Sequence, residues 1–327
     1  MVFKSFLQWL SPIFARIYKI VVSCGSRVSA IGANQRGPMK DTSSTNQGST
    51  TGHWQSGAHA IDYMSDDFAR VYEMTGNRVT APIAMEALRQ IGPVPLGARA
   101  IDIAAGAGAL SIPAAHQGLF VHAVDIAPGM VKLLSERLKP FPFSIAQVMD
   151  GEDLLVPDHS FDLAFSIMGV SLFNDWRKGL FEMSRVLRPG GKACLATWKT
   201  PPGGGPFRVM AKALRKVFPD RVPPAPSEGF RVLADPVQLH NAMRVVGMDE
   251  IQLTEFETLW QGFGGQVYLD TLHELHNYMA PYAALDDESR FKVDEAILQI
   301  IEEYTVDSVV RIPSVALLAV ATKRLRP

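Results

Sequence analysis

Two carboxylates and two glycines define the chemistry that this chain can support. Asp102 sits inside the apolar run Arg99-Ala-Ile-Asp-Ile, Gly106 and Gly108 follow among small residues, and Asp125 closes the next apolar run, Phe120-Val-His-Ala-Val-Asp. The order reads as strand, glycine turn, helix, strand. Gly106 and Gly108 carry no Cβ, so a ligand can approach the main chain closely. The helix after the turn presents free N–H groups and the positive end of its dipole to whatever lies above it. Asp125, seventeen residues beyond Gly108, is placed to accept hydrogen bonds from two ribose hydroxyls. The pattern is a site for an adenosine-type cofactor.

The turn also discriminates between cofactors. A dinucleotide fingerprint laid on Gly106 and Gly108 requires Gly or Ala at its sixth place, where this chain has Ser111. Asp102 would repel a pyrophosphate but hold the ammonium of an amino-acid-bearing cofactor.

The segment resembles motif I of the class I S-adenosylmethionine-dependent methyltransferases, small-molecule type. Later segments fit in order: Phe161-Asp-Leu-Ala-Phe-Ser-Ile resembles the family's fourth strand, and Glu182 to Trp198, through Arg188-Pro-Gly-Gly, resembles the helix, turn and fifth strand. The resemblance implies an α/β fold: a doubly wound, mostly parallel seven-stranded sheet with an antiparallel last strand, plus helical N-terminal and lid additions. It implies S-adenosyl-L-methionine as cofactor, held by Asp102, Ala104, Gly106, Gly108, Asp125, Ile126, Met130, Asp150, Gly151 and Met168. Asp150 matches the family's polar residue against the adenine amino group, although Asp-Gly is also ordinary turn chemistry. The family commonly has Gly where this chain has Ala104; alanine permits the tight turn if φ stays negative.

The other elements follow from pattern. The 327 residues are 47% hydrophobic, enough for a sizeable core, and 32 basic against 33 acidic residues leave no field that draws the chain to nucleic acid. Cys24 and Cys194 read as free thiols of a reducing compartment. Residues 1–50 read as a leader and flexible linker. An amphipathic stripe, Phe3, Phe6, Leu7, Leu10, Phe14, Ile17 and Val21, carries cations, and no acidic residue precedes Asp41. This composition fits mitochondrial targeting, peripheral membrane contact through residues 1–22, or a functionless leader on a cytoplasmic protein. Residues 51–327 read as the catalytic domain, with a cofactor-binding core at 96–199 and helical lid elements at 200–247 and 260–312.

Helical spacing runs from Trp54 to about Ile91, and the resemblance makes Tyr63, Tyr72 and Arg78 candidates for a pocket wall beside core packing. Ser171 and Asn174 lie on the loop after the fourth strand, at the edge of a doubly wound sheet where ligands bind. Asp175 there reads as a helix N-cap, and Pro189-Gly190-Gly191 as the stop of that helix. Trp260 and Tyr268, further candidates for the substrate pocket, fall with His273 and His276 in an insertion before the last strand. The two histidines lack the i, i+4 spacing of a zinc helix, so no metal is expected, but either can serve as a base toward a phenol or carboxylate acceptor.

Methyl transfer to a small-molecule or lipid-like acceptor is the reading this supports. An inactive scaffold on the same fold and a nicotinamide-dependent oxidoreductase are the competing ones, hinted at by Ala104 and opposed by Ser111 respectively.

Overall fold

The computed structural model describes residues 61–200, 203–223 and 225–325. The leader and linker over 1–50, its stripe at 1–22, Cys24 and the start of the helical stretch at Trp54 lie outside the described residues.

Alternation of apolar strand and amphipathic helix produces the expected order of elements. Two helices, α1 (Asp66–Met74) and α2 (Asn77–Ile91), precede β1 (Arg99–Ile103). There follow α3 (Ser111–His116), β2 (Phe120–Asp125), α4 (Pro128–Leu138), β3 (Ile145–Val148) and β4 (Phe161–Ile167). A short turn then leads to α5 (Trp176–Val186) and β5 (Leu187–Trp198). Beyond them come α6 (Pro206–Val217), α7 (Glu228–Leu233), α8 (Pro236–Val245) and β6 (Met248–Phe263). The chain closes with α9 (Gln266–Asn277), α10 (Ala280–Ala283), α11 (Asp287–Glu302), β7 (Thr305–Val306) and β8 (Val309–Lys323).

The sheet order is β3-β2-β1-β4-β5-β8-β6, with β7 paired to β8. Strands β1 to β5 are parallel, and β8 is antiparallel to both β5 and β6. This is the doubly wound, mostly parallel sheet read from the sequence, with one short extra strand where the chain turns at Asp307 and Ser308. Both turn residues take positive φ, 51° and 63°, the backbone that suits a two-residue hairpin.

Alternate residues of each central strand enter opposite core layers. Ala100, Leu163, Phe165 and Cys194 face the layer containing α2 and the insertion helices. Ile101, Ile103, Ala164 and Leu195 face the layer of α5 and α8. Two covered faces explain the unbroken apolar strands, and each fully buried Leu, Ile or Phe contributes about 1.5–3 kcal/mol. Cys194 is a free, buried thiol, pushed up to about 12 by that burial.

Local signals did what their chemistry required, with one displacement. Asp175 caps α5 by accepting the Arg177 and Lys178 N–H groups, and Asp235 caps α8 through Gln238. Pro189-Gly190-Gly191, however, does not stop α5. That helix ends at Val186, and the Pro-Gly-Gly lies inside β5 as a bulge between the Phe161–Leu187 and Leu163–Lys192 pairs. Gly190 takes φ +77° there.

Two features position the site. Parallel strands place the ends of β1, β2, β4 and β5 along one edge, and β6 and β8 run past that edge. Trp198, the last residue of β5, pairs with Ala316, whereas the β6–β8 ladder continues to Phe263 and Val309. The insertion α9–α11 is carried on this projecting arm. Among the described residues no helix is long and apolar enough to cross a membrane.

Candidate functional site

At the end of β1 the chain sets Asp102 into the core, 1% exposed, with the Ser111 hydroxyl donating to its carboxylate at 2.6 Å. Burial pushes this carboxyl up to about 7, the Ser111 bond opposing and the Asp125 charge adding to the rise. A cation brought beside it would favour the ionised form. Ser111 therefore does more than break the dinucleotide fingerprint. Its place in the first turn of a helix facing a buried acid was the signal available for that role.

Ala104 departs from the sequence expectation, because its φ is +59°. A left-handed alanine costs about 1–2 kcal/mol, and the fold accommodates its methyl through a second glycine: a Cβ on Gly169 would lie 2.4 Å from the Cβ of Ala104. Beside Gly169, Met168 also takes positive φ, 67°, and is buried with its N–H bonded to Ala196 of β5.

Gly106 is left-handed too, with φ +52°. Its N–H donates to Asp125 at 2.8 Å, and the other carboxylate oxygen accepts the Ala127 N–H at 2.9 Å. Burial raises the Asp125 carboxyl, and these backbone bonds oppose the rise. Ile126, beside it, is 54% exposed on the same edge. Among the described residues, the only side chain within 4 Å of a would-be Gly106 Cβ is the Tyr72 ring, at 3.7 Å. Gly108 takes φ +91°, and a Cβ there would meet Leu134 of α4 at 2.5 Å.

Helix α1 covers this turn. Met130, Ala107, Ala127 and Ala69 form a small buried cluster with Phe68 and Tyr72 against it. Gly129 N–H donates to Met64, and a Cβ at Gly129 would lie 2.3 Å from the Ser65 carbonyl oxygen. Asp66 pairs with Lys132, and Arg137 reaches both Glu73 and the Ala107 carbonyl. From sequence Phe68 is one apolar residue of a helical stripe and Gly129 carries no signal; their place over the turn appears only when α1 meets α4.

The remaining candidates separate into groups. Asp150 is exposed and accepts the Glu152 N–H at 2.8 Å, an Asx turn, while Gly151 is buried under Phe173 and Ile103. Buried Ser171 donates to the Met168 carbonyl, and its own carbonyl accepts from Ser227, which seats α7 at the edge. Asn174 and Arg78 are exposed. Tyr63 donates to the Tyr278 carbonyl at 3.0 Å, tying the start of α1 to the end of α9. Trp260 lies on β6, which runs on to Phe263 so that the insertion begins only after it; it is buried beside Tyr268 of α9, and His276 of the same helix is buried too, whereas His273 is exposed and bonded to Asn277 of its own helix. Burial pushes His276 down to about 4, with His273 adding to the fall. Among the described residues no cluster of three His, Cys, Asp or Glu side chains suits a metal.

A left-handed glycine turn, an acid anchored by two backbone N–H groups, an exposed isoleucine beside it and a buried second acid fit an adenosine bearing an amino-acid tail. The fold and site define a doubly wound domain of the cofactor-binding kind.

Comparison with known proteins gives the family. Residues 101–195 match the family described as Methyltransferase domain. The chain is 35% identical over 161 residues to the demethylmenaquinone methyltransferase of Renibacterium salmoninarum, covering 48% of this chain and 66% of that protein. It is 33% identical over 148 residues to the corresponding protein of Clavibacter sepedonicus, covering 43% and 59%. This chain thus spans about two thirds or less of those relatives' length. Among solved structures, Haemonchus contortus phosphoethanolamine N-methyltransferase 2 in complex with S-adenosyl-L-methionine shares the fold at 18% identity, with a TM-score of 0.51 over 82% of this chain and 61% of that one. The chain carries a class I methyltransferase domain, of the family whose cofactor is S-adenosylmethionine.

The raised Asp102 carboxyl has a consequence for stability. Its folded value near 7 exceeds the ordinary 3.8, so its contribution is fully present below about pH 4 and is lost as pH rises through about 7, at about 1.4 kcal/mol per pKa unit. Asp102→Asn keeps a neutral acceptor for Ser111 at every pH. Relative to wild type it should gain stability across that window, measured as urea midpoints at about pH 4 and about pH 8. An unchanged difference between the two would remove the buried-acid assignment.

Proposed function

We propose that this protein transfers a methyl group from S-adenosylmethionine to a small-molecule or lipid-like acceptor by in-line displacement. The observation that carries the reading is the Asp125 carboxylate joined to the Gly106 turn at 2.8 Å, within a chain whose residues 101–195 match a methyltransferase domain.

When bound, S-adenosylmethionine supplies a methyl group activated on a sulfonium. Asp125 would hold the ribose hydroxyls with the lone pairs that its two backbone bonds leave, Ile126 would pack on the adenine, and Asp150 would accept from the adenine amino group. Asp102 would face the ammonium. Met168, Gly169 and Ser171, at the end of β4, would border the reacting end, and α1 with Tyr72 would exclude water. Alignment and water exclusion supply most of the catalysis in such a displacement, so no fixed base is required.

The acceptor we propose is a quinol-type lipid. Support comes from the relatives named demethylmenaquinone methyltransferases. For such an acceptor, the amphipathic stripe at residues 1–22 would serve as a peripheral membrane contact or an organellar address. Fused to a fluorescent protein, residues 1–50 should move it to a membrane or to mitochondria; a diffuse signal would contradict that role.

Asp125→Ala should weaken S-adenosylmethionine binding by about 1.5–3 kcal/mol, the loss for hydrogen bonds to a charged group, while NAD should bind neither form. Isothermal titration measures both. Unchanged affinity in the folded variant would take the ribose from Asp125, and tight NAD binding would favour the oxidoreductase instead.

A further inference from the structure

The strands that run past the cofactor edge carry a cover on one side only. On the covered side Trp260, Val310 and Ile312 are buried, and Tyr268 of α9 packs edge to face on Trp260. Residues directly paired across antiparallel strands share a side. The other side therefore holds Leu259 paired with Pro313, Gln261 with Arg311, and Phe263 with Val309, which also pairs with Val306 of β7. Leu259, Phe263 and Val306 are 44%, 54% and 57% exposed, and Pro313 is exposed beside them. Farther back on this side, Leu317 and Ala319 are buried in the layer of α5 and α8. That layer stops short of the tip, and the apolar rows beyond it have no cover among the described residues.

A row of cations runs along the β8 edge of the same tip. Helix α6, Pro-Phe-Arg-Val-Met-Ala-Lys-Ala-Leu-Arg-Lys-Val, has four basic residues and no acidic one. Val209, Met210 and Ala213 are buried, while Arg208, Lys212, Arg215 and Lys216 share the exposed side. Arg208 donates to the Pro313 carbonyl at 2.9 Å, and Lys212 donates to the hydroxyl of Tyr304, the residue before β7. Those bonds set the row at both ends of the apolar tip. Lys216 donates to the amide oxygen of Gln299, and Arg311, between the apolar rows, donates to the Val306 carbonyl. Every one of these acceptors is neutral. Glu302, Glu303 and Asp307 are exposed at this end, yet among the described residues no ion pair joins an acid to the α6 cations.

Single exposed apolar side chains are ordinary, but here they lie in adjoining rows, bordered by cations that no carboxylate matches. The phosphates of an anionic bilayer supply that match, each Lys or Arg near the surface adding to the attraction. Apolar side chains beside such cations enter the boundary between headgroups and acyl chains.

We infer that the tip of the β6–β8 arm, through Leu259, Phe263 and Val306 with the α6 cations, seats the protein on an anionic lipid surface. The inference goes beyond the methyltransferase reading and stands without it. Taken together, the two bring the insertion and a lipid-like acceptor to one phase boundary.

The test uses the full chain with phosphatidylcholine vesicles, pure or containing about a quarter phosphatidylglycerol. Wild type should bind the mixed vesicles more tightly, and added salt should weaken that binding. Phe263→Ser combined with Val306→Ser should weaken it about tenfold or more. Arg215→Gln combined with Lys216→Gln should weaken it about tenfold on mixed vesicles alone. Val237→Ser combined with Val245→Ser, also at exposed positions but on α8, should change nothing. Amide exchange over 259–263 and 304–309 should slow when mixed vesicles are added, which reads the arm whatever residues 1–22 contribute. If wild type ignores mixed vesicles, if both arm variants bind them like wild type, or if the tip amides gain no protection, the inference falls. It falls too if Phe263→Ser with Val306→Ser turns a dimer into a monomer without vesicles, because a second copy then covers this face. S-adenosylhomocysteine affinity should be the same in all variants; its absence in wild type would overturn the methyltransferase reading alone.

Discussion

One carboxylate ties the site together. Asp125, at the end of β2, accepts the N–H of Gly106 from the turn after β1 and the N–H of Ala127 from the start of α4. A single side chain thereby fixes three elements that the chain contributes separately. Burial raises its carboxyl, and the backbone N–H groups it accepts oppose that rise. The left-handed turn, Ala104 included, persists because these bonds and the Gly169 gap determine it from both sides.

The covers over the site depend on that anchored turn. Helix α1 packs on α4 through Gly129 and sets Tyr72 over Gly106. Its Phe68, and Tyr63 just before it, reach Tyr278 of the insertion, and Arg70 pairs with Glu274. The helix over the cofactor turn and the insertion over the β5 end of the same edge are therefore joined at one aromatic contact. Exposed ion pairs such as Arg70–Glu274 add little, since a surface pair contributes about 0–1 kcal/mol; the half-buried rings of Phe68, Tyr72 and Tyr278 and the glycine contact do the holding.

Much of this was legible in the sequence because its causes are local. Small residues after an apolar run, an acid at the next strand end, and Asp175 and Asp235 ahead of helical patterns each act within a few residues. What was not legible depends on distant partners. Ala104 reads as a departure until Gly169, on another strand's exit, is seen to make room for it. Pro189-Gly190-Gly191 reads as a helix stop, yet the pairing of β4 with β5 turns it into a bulge. Gly108 takes φ +91° and faces Leu134 of α4, a partner that the local pattern does not name. His273 and His276 share one helix and one composition, and only the packing of α9 separates an exposed imidazole from a buried one.

A crystal structure of the protein with S-adenosylhomocysteine tests the central arrangement most directly. The ribose hydroxyls should lie at about 2.5–3.0 Å from the Asp125 carboxylate, with the backbone at Gly106 in contact with the ligand, the adenine on Ile126 and Tyr72 against its exposed side. A ligand seated away from β2, with Asp125 bonded to the Gly106 and Ala127 N–H groups and not to the ribose, would contradict it.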